Sequence, residues 1–219
     1  MSTIWPFFDL SITTPRLELR LPTDAELEQL AAVALAGIHD PGWTPFVTTW
    51  SMEPSPALER GVVQFHWACR SSLTPDKWRL PLGVFVDGEI VGCQDLSALK
   101  FAVARGVVTG SWLGRHHQGM GLGTEMRATM LAFAFEHLGA PSAGSSYRDG
   151  NYPSAGVSRK LGYADDGIEY DDQQGERVIV RRIRISPEQW AAARPAELEV
   201  AVTGLDACRS LLGAEGIGS

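Results

Sequence analysis

Residues 111–139 read SWLGRHHQGMGLGTEMRATMLAFAFEHLG. This stretch predicts a short strand, a turn with alternating glycines and a long, mostly apolar helix. Glycines at 119, 121 and 123 remove side chains that would hold a ligand away from the backbone, and they permit positive φ, so successive N–H groups can converge. The helix adds unpaired N-terminal donors and the positive end of its dipole. We therefore predict an anion site that accepts a diphosphate without a lysine.

The spacing of the glycines in this turn limits which class of phosphate-bearing ligand it fits. A nucleotide-triphosphate loop requires G-x-x-x-x-G-K-[ST], and Gly123-Thr124 lacks the lysine. A dinucleotide fingerprint requires G-x-G-x-x-G with an acid about 20 positions on, and the region near Gly139 supplies none. What remains is Gln118-x-x-Gly121-x-Gly123, by which the chain resembles the GNAT superfamily of acyl-CoA N-acyltransferases. A glycine-rich helix start that holds no ligand is the alternative.

The composition is that of an ordinary globular protein, with 44% hydrophobic and 21% charged residues in a chain of 219. A net charge of −7 disfavours nucleic acid as a partner. The three cysteines form an odd count without metal-like spacing, which predicts no metal site and a reducing, cytoplasmic setting. The start MSTIWPFFDL lacks a basic region, and its apolar stretch is too short for a signal peptide or a membrane span.

The first half of the chain predicts a strand, two helices and a hairpin. Thr13–Leu21 alternates as a half-buried strand, and Thr23–Glu26 is a capping box that opens the first helix. Ser55 is the expected N-cap of the second helix, with Pro56 at its first position. The apolar stripe of this helix is Leu58, Val62, Phe65, Cys69 and Leu73. Asp87-Gly88 is the expected turn of a hairpin formed by residues 80–96.

The second half supplies a crossover and a final hairpin. Val107–Leu113 is a strand, in which Gly110 indicates a bulge or a close backbone approach. A short strand follows the glycine-turn helix, and another helix starts at Asn151 and ends before Gly162. Residues 167–185 form a hairpin around Gln173-Gln174-Gly175, and Ser186–Gln189 is a second capping box.

The element order is therefore β-α-α-β-β-β-α-β-α-β-β plus an extra helix, which predicts a mixed α/β sheet with helices on both faces. The GNAT fold has the same order. We expect one domain over residues 1–219, with a core of about 13–185 and a helical extension over 186–219. Within the extension, the amphipathic stretch Val202–Leu212 packs either on the domain or against a second subunit.

Three separated motifs place the resemblance in one branch of the superfamily. They are Thr-Pro-Arg-Leu-x-Leu-Arg at 14–20, Asn151-x-x-Ser154, and Lys160-Leu161-Gly162-Tyr163. The chain is similar to the RimJ/RimL type, which includes the ribosomal-protein alanine N-acetyltransferases. Its IWPFFDL start also resembles relatives that accept succinyl-CoA in place of acetyl-CoA. This resemblance implies a mostly antiparallel, splayed sheet and an acyl-CoA cosubstrate, acetyl or succinyl.

The resemblance also implies where the cofactor lies. Acyl-CoA would enter between the strand before the glycine turn and the strand after its helix. Ser111, Trp112 and Leu113, with Gly114, would line the acyl end and the upper pantetheine, and Asn151 would contact the pantetheine. The expected pyrophosphate ligands are Gln118, Gly119, Met120, Gly121, Leu122, Gly123 and Thr124. Candidates for the outlying phosphate are Arg115, His116, Arg159 and Lys160.

Direct attack of an amine on a thioester requires a neutral amine, a donor to the oxyanion and a proton for the leaving sulfur. A backbone N–H at the bulge near Gly110 to Leu113 is the expected oxyanion donor. Ser154 is the expected proton donor, unless its hydroxyl only satisfies groups in the first helical turn. Many GNAT enzymes carry a tyrosine four residues further on, where this chain has Ser158. Asp95 is the expected base, and Glu53, His39-Asp40 and a water chain are the alternatives.

The acceptor is left open among a small cationic amine, a protein N-terminus and a lysine. Trp43, Phe46 and Trp50 form either a lid on the core or a wall of the acceptor site. We expect a homo-oligomer, because most soluble oligomers are homomers. Two rivals to the enzyme remain: a non-catalytic sensor of acyl-CoA, and a nucleotide-dependent oxidoreductase, which the glycine spacing disfavours.

Overall fold

The computed structural model describes residues 4–216, so the first three and last three residues of the predicted 1–219 domain lie outside the described residues. One nine-stranded sheet contains all the strands of this region. The strands are β1 (Ser11–Thr13), β2 (Glu18–Arg20), β3 (Lys77–Val86), β4 (Glu89–Leu99), β5 (Val107–Leu113), β6 (Ala143–Arg148), β7 (Ala164–Gln173), β8 (Glu176–Ile185) and β9 (Ala201–Thr203). The α-helices are α1 (Asp24–Leu35), α2 (Ala57–Ser71), α3 (Phe101–Ala104), α4 (Leu122–Ala132), α5 (Tyr152–Lys160) and α6 (Pro187–Ala193).

The strands lie in the order β7-β8-β6-β5-β4-β3-β2-β1-β9. Every neighbouring pair is antiparallel except β5 and β6, which are the two strands joined by the crossover through α4. The prediction of a mixed, mostly antiparallel α/β sheet is confirmed. Among the described residues, no helix is long and apolar enough to cross a bilayer.

Two hydrophobic clusters cover the two faces of the sheet. Neighbouring residues of β3 belong to different clusters, since Val84 packs with the α4 side and Phe85 with α1 and α2. This follows from the alternation of side chains along a strand. The α1–α2 cluster is closed by residues that the sequence places on one helical face, including Leu27 and Leu30. Helix α4 is buried along most of its length, as expected, and a π-helical turn over Phe133–His137 continues it.

Local signals fixed several elements correctly. The capping boxes at Thr23 and Ser186 are both present. Asn151 caps α5 by accepting a hydrogen bond from the Ser154 N–H, and Gly162 follows the helix with φ of +86°. Asp87-Gly88 turns the β3–β4 hairpin, and both residues have positive φ.

The predicted single strand over Thr13–Leu21 is wrong. The structure has two short strands, β1 and β2, which pair with each other. The Thr14 N–H donates to the Leu17 carbonyl, and the Thr14 hydroxyl accepts from the N–H groups of Arg16 and Leu17. Pro15 has no N–H to give to a ladder, so a side-chain-stabilised turn replaces a continuous strand.

The start and the stripe of α2 also differ from expectation. Pro56, rather than Ser55, is the N-cap, and the Ser55 hydroxyl donates to the Glu59 carboxylate instead. Phe65 is 40% exposed, whereas His66 is 1% exposed and takes the buried position between Val62 and Cys69. The helical repeat, rather than hydrophobicity alone, decides which side chain faces inward.

The C-terminal extension is not purely helical. After α6 the chain adds β9 to the edge of the sheet beside β1, and it then forms two short 3-10 turns. Leu205, Cys208 and Leu212 are buried in the main core, and the Leu212 carbonyl accepts a hydrogen bond from the Trp78 indole. The amphipathic stretch therefore packs back on the domain.

Candidate active site

The glycine turn, Gly119–Gly123, leads from β5 into α4 and presents a row of unpaired donors. Within residues 4–216, none of its five backbone N–H groups has a hydrogen-bond partner. Gly119 and Gly121 have φ of +75° and +83°, a region that side chains with a Cβ avoid. At the ends of the predicted set, the Gln118 N–H donates to the Arg115 carbonyl and the Thr124 N–H to the Gly121 carbonyl. Such a row of free donors at a helix start suits an anion.

The side chain of Gln118 fixes the base of the glycine turn. Its amide nitrogen donates to the carbonyls of Ile38, at 2.7 Å, and Leu113, at 2.9 Å. These two bonds tie the turn to the end of β5 and to the segment after α1. The side-chain amide of Gln118, which was predicted to bind the pyrophosphate, therefore donates to protein carbonyls instead.

The N-terminal Thr-Pro-Arg motif supports the same turn. The Arg16 guanidinium donates to the Met120 carbonyl at 3.2 Å and pairs with Glu125 on the first turn of α4. The Thr14 hydroxyl donates to the same carboxylate at 2.7 Å. The sequence identified this motif only as part of a resemblance, and the structure gives it a local role. It places a cation, 54% exposed, beside the free N–H groups.

Beyond the first residues of β5, the sheet opens. Strand β6 pairs with β5 only at Val107 and Val108, whereas β4 pairs with β5 along its whole length. We call the opening beyond Val108 and Gly144 the β5–β6 gap. The Val107 N–H donates to the Ser142 carbonyl on the β6 side. Because N–H groups alternate along a strand, those of Ser111 and Leu113 face the gap.

Helix α5 starts on the other side of the β5–β6 gap. Asn151 is its N-cap, and the Ser154 hydroxyl has no hydrogen-bond partner among the described residues. The Ser158 hydroxyl donates to the Ser154 carbonyl at 2.9 Å and accepts from Arg127. Of the two hydroxyls, that of Ser154 is therefore the one free to act on a ligand.

A cavity of about 680 Å³ joins the predicted residues. Its lining includes five residues of the predicted set: Asp95, Ser111, Trp112, Asn151 and Ser154. Leu113 is buried at the end of β5, and the glycine turn follows it, outside this lining. The site thus has two parts, a cavity at the sheet and a donor-rich turn beyond the strand end.

Aromatic side chains form one wall of the cavity. Phe46 and Trp50 both line it, with ring centroids 5.3 Å apart, and Trp50 lies 5.7 Å from Trp112 on β5. Trp43 is not part of this wall, because its ring lies against the Arg148 guanidinium. Two of the three loop aromatics therefore face the cavity.

Asp95 lies on β4, and its carboxylate faces Gly110 of β5. It is 8% exposed and accepts a hydrogen bond from Arg79 at 3.0 Å, while its Oδ1 atom has no partner among the described residues. Burial raises the pKa of the Asp95 carboxyl above 3.8, and the charge of Arg79 opposes this shift. A carboxylate with a raised pKa and a free oxygen is suited to accept a proton.

Gly110 makes room for this carboxylate. A Cβ at this position would lie 3.0 Å from Asp95 Oδ2, so the glycine permits a close approach. The expected bulge near Gly110 is absent, because β5 pairs regularly with β4 from Val107 to Leu113. Irregular registers lie instead at Val84/Phe85, between β3 and β4, and at Asp165/Ile168, between β7 and β8.

The other proposed bases and phosphate ligands have different settings. Glu53 lines the cavity. His39 Nε2 lies 2.8 Å from the Ser51 hydroxyl, and Asp40 pairs with Arg115 at 2.9 Å, so the Arg115 charge is already compensated. His116, Arg159 and Lys160 are exposed.

Two functional candidates were missed from the sequence, Arg127 and His66. Both line the cavity, and both have a buried ring or guanidinium nitrogen without a partner. Burial lowers the pKa of His66 to about 4, so it is neutral at pH 7. Each is a polar residue at a helix position that faces the apolar core. A polar side chain at such a position was the feature of the sequence that could have identified them.

Comparison with known proteins supplies the family. A family model described as an acetyltransferase (GNAT) domain matches residues 16–164, more than half of the chain. The chain belongs to the GNAT acetyltransferase family. The fold and the branch of relatives predicted from the sequence agree with this result, and the family supports acyl-CoA-dependent N-acetyltransfer.

Solved structures share this fold. RimJ of Mycobacterium smegmatis, in complex with CoA-disulfide, superposes with a TM-score of 0.68 at 20% identity, covering 86% of this chain and 97% of that one. RimL, a ribosomal L7/L12 alpha-N-protein acetyltransferase in complex with coenzyme A, gives 0.65 at 16% identity, covering 78% and 94%. A GCN5-related N-acetyltransferase from Brucella melitensis gives 0.68 at 16% identity, covering 85% and 83%.

Metal ligands are not clustered in this site. Across residues 4–216, no group of three or more His, Cys, Asp or Glu side chains could hold a metal ion.

Proposed function

We propose that this protein transfers an acetyl or succinyl group from acyl-CoA to a primary amine, by direct attack in a ternary complex. The observation that carries the proposal is the row of five unpaired N–H groups at the glycine turn, directly beyond the strand that borders the β5–β6 gap. Family membership supports a CoA thioester as the ligand of this row.

The glycine turn and the β5–β6 gap would bind different parts of the cofactor. Gly119, Met120, Gly121, Leu122 and Gly123 would hold the pyrophosphate through their backbone N–H groups. The pantetheine would run along β5, where the free N–H group of Leu113 can pair with one of its amides. Arg16, whose guanidinium pairs with Glu125 and donates to the Met120 carbonyl, would hold the turn in place for the pyrophosphate.

A bound thioester supplies an acyl carbon that an amine nitrogen attacks, so that a C–N bond forms and the C–S bond breaks. The Ser111 N–H would donate to the carbonyl oxygen as negative charge develops on it. The Ser154 hydroxyl would give a proton to the departing sulfur and recover it from solvent. Asp95 would take the proton that the attacking amine loses, directly or through a water.

The cavity fits an amine with apolar surroundings. Phe46, Trp50 and Trp112 form a wall that can cover an alkyl or aromatic body, and Asp95 and Glu53 supply negative charge for a cationic amine. A small amine, a protein N-terminus and a lysine all satisfy this description. A cytoplasmic location is proposed because all three cysteines are free thiols, and a homo-oligomer remains a prediction.

The experiment is a thiol-release assay with acetyl-CoA and succinyl-CoA against a panel of amines and peptide N-termini, with mass spectrometry of the products. We expect acceptor-dependent thiol release and an acylated amine. CoA binding without turnover on any acceptor would favour the sensor, and the absence of any CoA binding would contradict the proposal altogether.

A further inference from the structure

Arg127 is a buried cation without an anionic partner. Its side chain projects from α4, and the residue is only 6% exposed. Its guanidinium donates to the Ser158 hydroxyl at 2.8 Å and to the Ser111 hydroxyl at 3.1 Å, and its Nε–H has no partner. No carboxylate of the described residues lies within ion-pair distance of it.

The surroundings of Arg127 are polar where a protein core is normally apolar. Thr109 and Ser111 lie on one face of β5, and Ser145 lies opposite on β6, where the two strands separate. The Ser145 hydroxyl donates to the Thr109 carbonyl at 2.9 Å, and the Thr109 hydroxyl lies 3.3 Å from the hydroxyl of Tyr163. Burial raises the pKa of Tyr163, which keeps this hydroxyl neutral. The closed end of the β5–β6 gap is thus a set of neutral hydroxyls around one cation.

The other arginines of the cavity have visible roles. Arg79 pairs with Asp95 at 3.0 Å. Arg148 donates to the Thr44 carbonyl at 2.8 Å and lies over the ring of Trp43. Arg127 lines the same cavity and has only hydroxyl partners.

Burying a guanidinium without a counter-ion is costly, and buried charges in proteins are normally paired. The hydroxyls of Ser158 and Ser111 accept two of its hydrogen bonds, and they leave its Nε–H unpaired and its charge uncompensated. A fork of N–H donors fits a carboxylate particularly well. The missing anion is therefore expected to arrive with a substrate that enters the gap.

We infer that Arg127 receives a carboxylate at the far end of the acyl group, so that the preferred donor is a dicarboxylic acyl-CoA of succinyl size. This inference rests on the proposed function, because it assumes that the acyl group enters the β5–β6 gap. Ser111 and Ser145, which also line the cavity, would complete the carboxylate site. An acetyl group would leave the guanidinium uncompensated.

The test compares two thioesters that differ in charge and share a four-carbon acyl chain. Isothermal titration calorimetry measures binding of succinyl-CoA, butyryl-CoA and free CoA to the whole protein. We expect succinyl-CoA to bind about tenfold to a hundredfold more tightly than butyryl-CoA, the range of a hydrogen bond to a charged group. Arg127→Gln is expected to abolish this preference and to retain the affinity for free CoA.

Arg148→Gln is the matched control, since it removes another cavity arginine and is expected to leave the preference intact. Equal binding of succinyl-CoA and butyryl-CoA by the wild-type protein would overturn the inference, whether or not the Arg127 variant folds. So would an unchanged preference in a folded Arg127→Gln protein. If that variant slowed turnover of both thioesters equally, the guanidinium would serve the departing thiolate instead, and the inference would be wrong.

Failure of the proposed function gives a different result. In that case neither the thioesters nor free CoA would bind the wild-type protein. Binding of CoA without discrimination between the acyl groups would leave the proposed function standing and would remove only the role of Arg127.

Discussion

The two sides of β5 differ in how far they are closed. On the β4 side, β5 pairs along all seven of its residues, and on the β6 side only Val107 and Val108 are paired. The closed side connects β5 to β4 by a continuous ladder of backbone hydrogen bonds. The open side leaves main-chain donors free, buries a cation among hydroxyls, and continues into a turn whose five N–H groups are unpaired.

Polar groups without protein partners among residues 4–216 lie on the open side of β5. Buried polar groups normally find partners, and the Nε–H of Arg127 is an exception that calls for an explanation, whereas Gly119, Met120 and Gly121 in the glycine turn are exposed. Free donors along the open side of β5 and in the glycine turn lie on one path, from the cavity to the helix start. A ligand that runs along this path would satisfy them, and the closed side needs none.

The largest expected effect comes from a change at Asp95. This residue lies on β4, on the closed side of β5, and its carboxylate is next to Gly110. Asp95→Asn removes the proposed base, and kcat should fall by about 10² to 10⁴. Burial raises the pKa of this carboxyl above 3.8, so the wild-type rate should fall as pH drops through that raised value, because the active form is ionised. The rate of the Asp95→Asn variant should not show this fall at low pH. A pH–rate profile measures both, and an unchanged rate would point to a water chain as the base.

The second-largest effect is expected from a substitution in the glycine turn, at the end of the open side. Gly121→Val forces a β-branched residue to φ of +83°, although nothing lies closer than the Arg16 guanidinium at 3.9 Å. The turn should rearrange and lose two or more N–H contacts, so affinity for CoA should fall about a hundredfold. Calorimetric titration with CoA measures it.

Gly88→Val is the control for that experiment. Gly88 also has φ of +83° with open space around it, and it turns the β3–β4 hairpin on the closed side. Both variants should lose about 1 to 3 kcal/mol of stability, and only the one at position 121 should lose CoA. Equal losses of CoA affinity would mean that strain, rather than the donors, explains the result.

The third effect separates two serines of α5. Ser154→Ala removes the free hydroxyl and should lower kcat about tenfold, because water can protonate a thiolate in its place. Ser158→Ala removes a hydroxyl that is already donated to the Ser154 carbonyl and should change kcat less. Steady-state thiol release compares them, and a larger loss at Ser158 would reverse the assignment.

The smallest expected effect concerns an ion pair between β2 and α1, away from the β5–β6 gap. Arg20, through its hydrogen bond, lowers the pKa of Glu26 from 4.5 to about 2. A lowered carboxyl pKa stabilises the folded state above pH 4.5, and this contribution is lost as pH falls towards 2. Glu26→Gln should cost no more than about 1 kcal/mol at pH 7 and nothing at the acid end, because the pair is partly exposed. Denaturant unfolding across pH checks this, and CoA affinity should not change.

Local chemistry explains what the sequence could predict. Capping boxes, hairpin turns and the glycine turn use contacts within a few residues, so their side chains specify them directly. The mixed sheet followed from the order of the elements along the chain, and the GNAT family was indicated by the resemblance of the glycine turn and three further motifs. The turn at Thr14 was missed because alternation of Leu17 and Leu19 imitates a strand, while Pro15 and the Thr14 hydroxyl decide the backbone.

The site depended on contacts between distant segments. Asp95 and Ser154 lie in one cavity, as expected, and their partners come from elsewhere. Arg127 lies 16 residues from Ser111 and 31 from Ser158, and only the packing of α4 under the gap brings them together. A charged residue on an apolar helix face was the one signal in the sequence that pointed to it.

The most direct measurement is a crystal structure of the protein with CoA. We expect pyrophosphate oxygens within about 2.7 to 3.2 Å of the backbone nitrogens of the glycine turn, with the thiol in the β5–β6 gap near Ser154. A complex in which CoA lies elsewhere, or in which the turn's N–H groups bond to protein atoms instead, would contradict it.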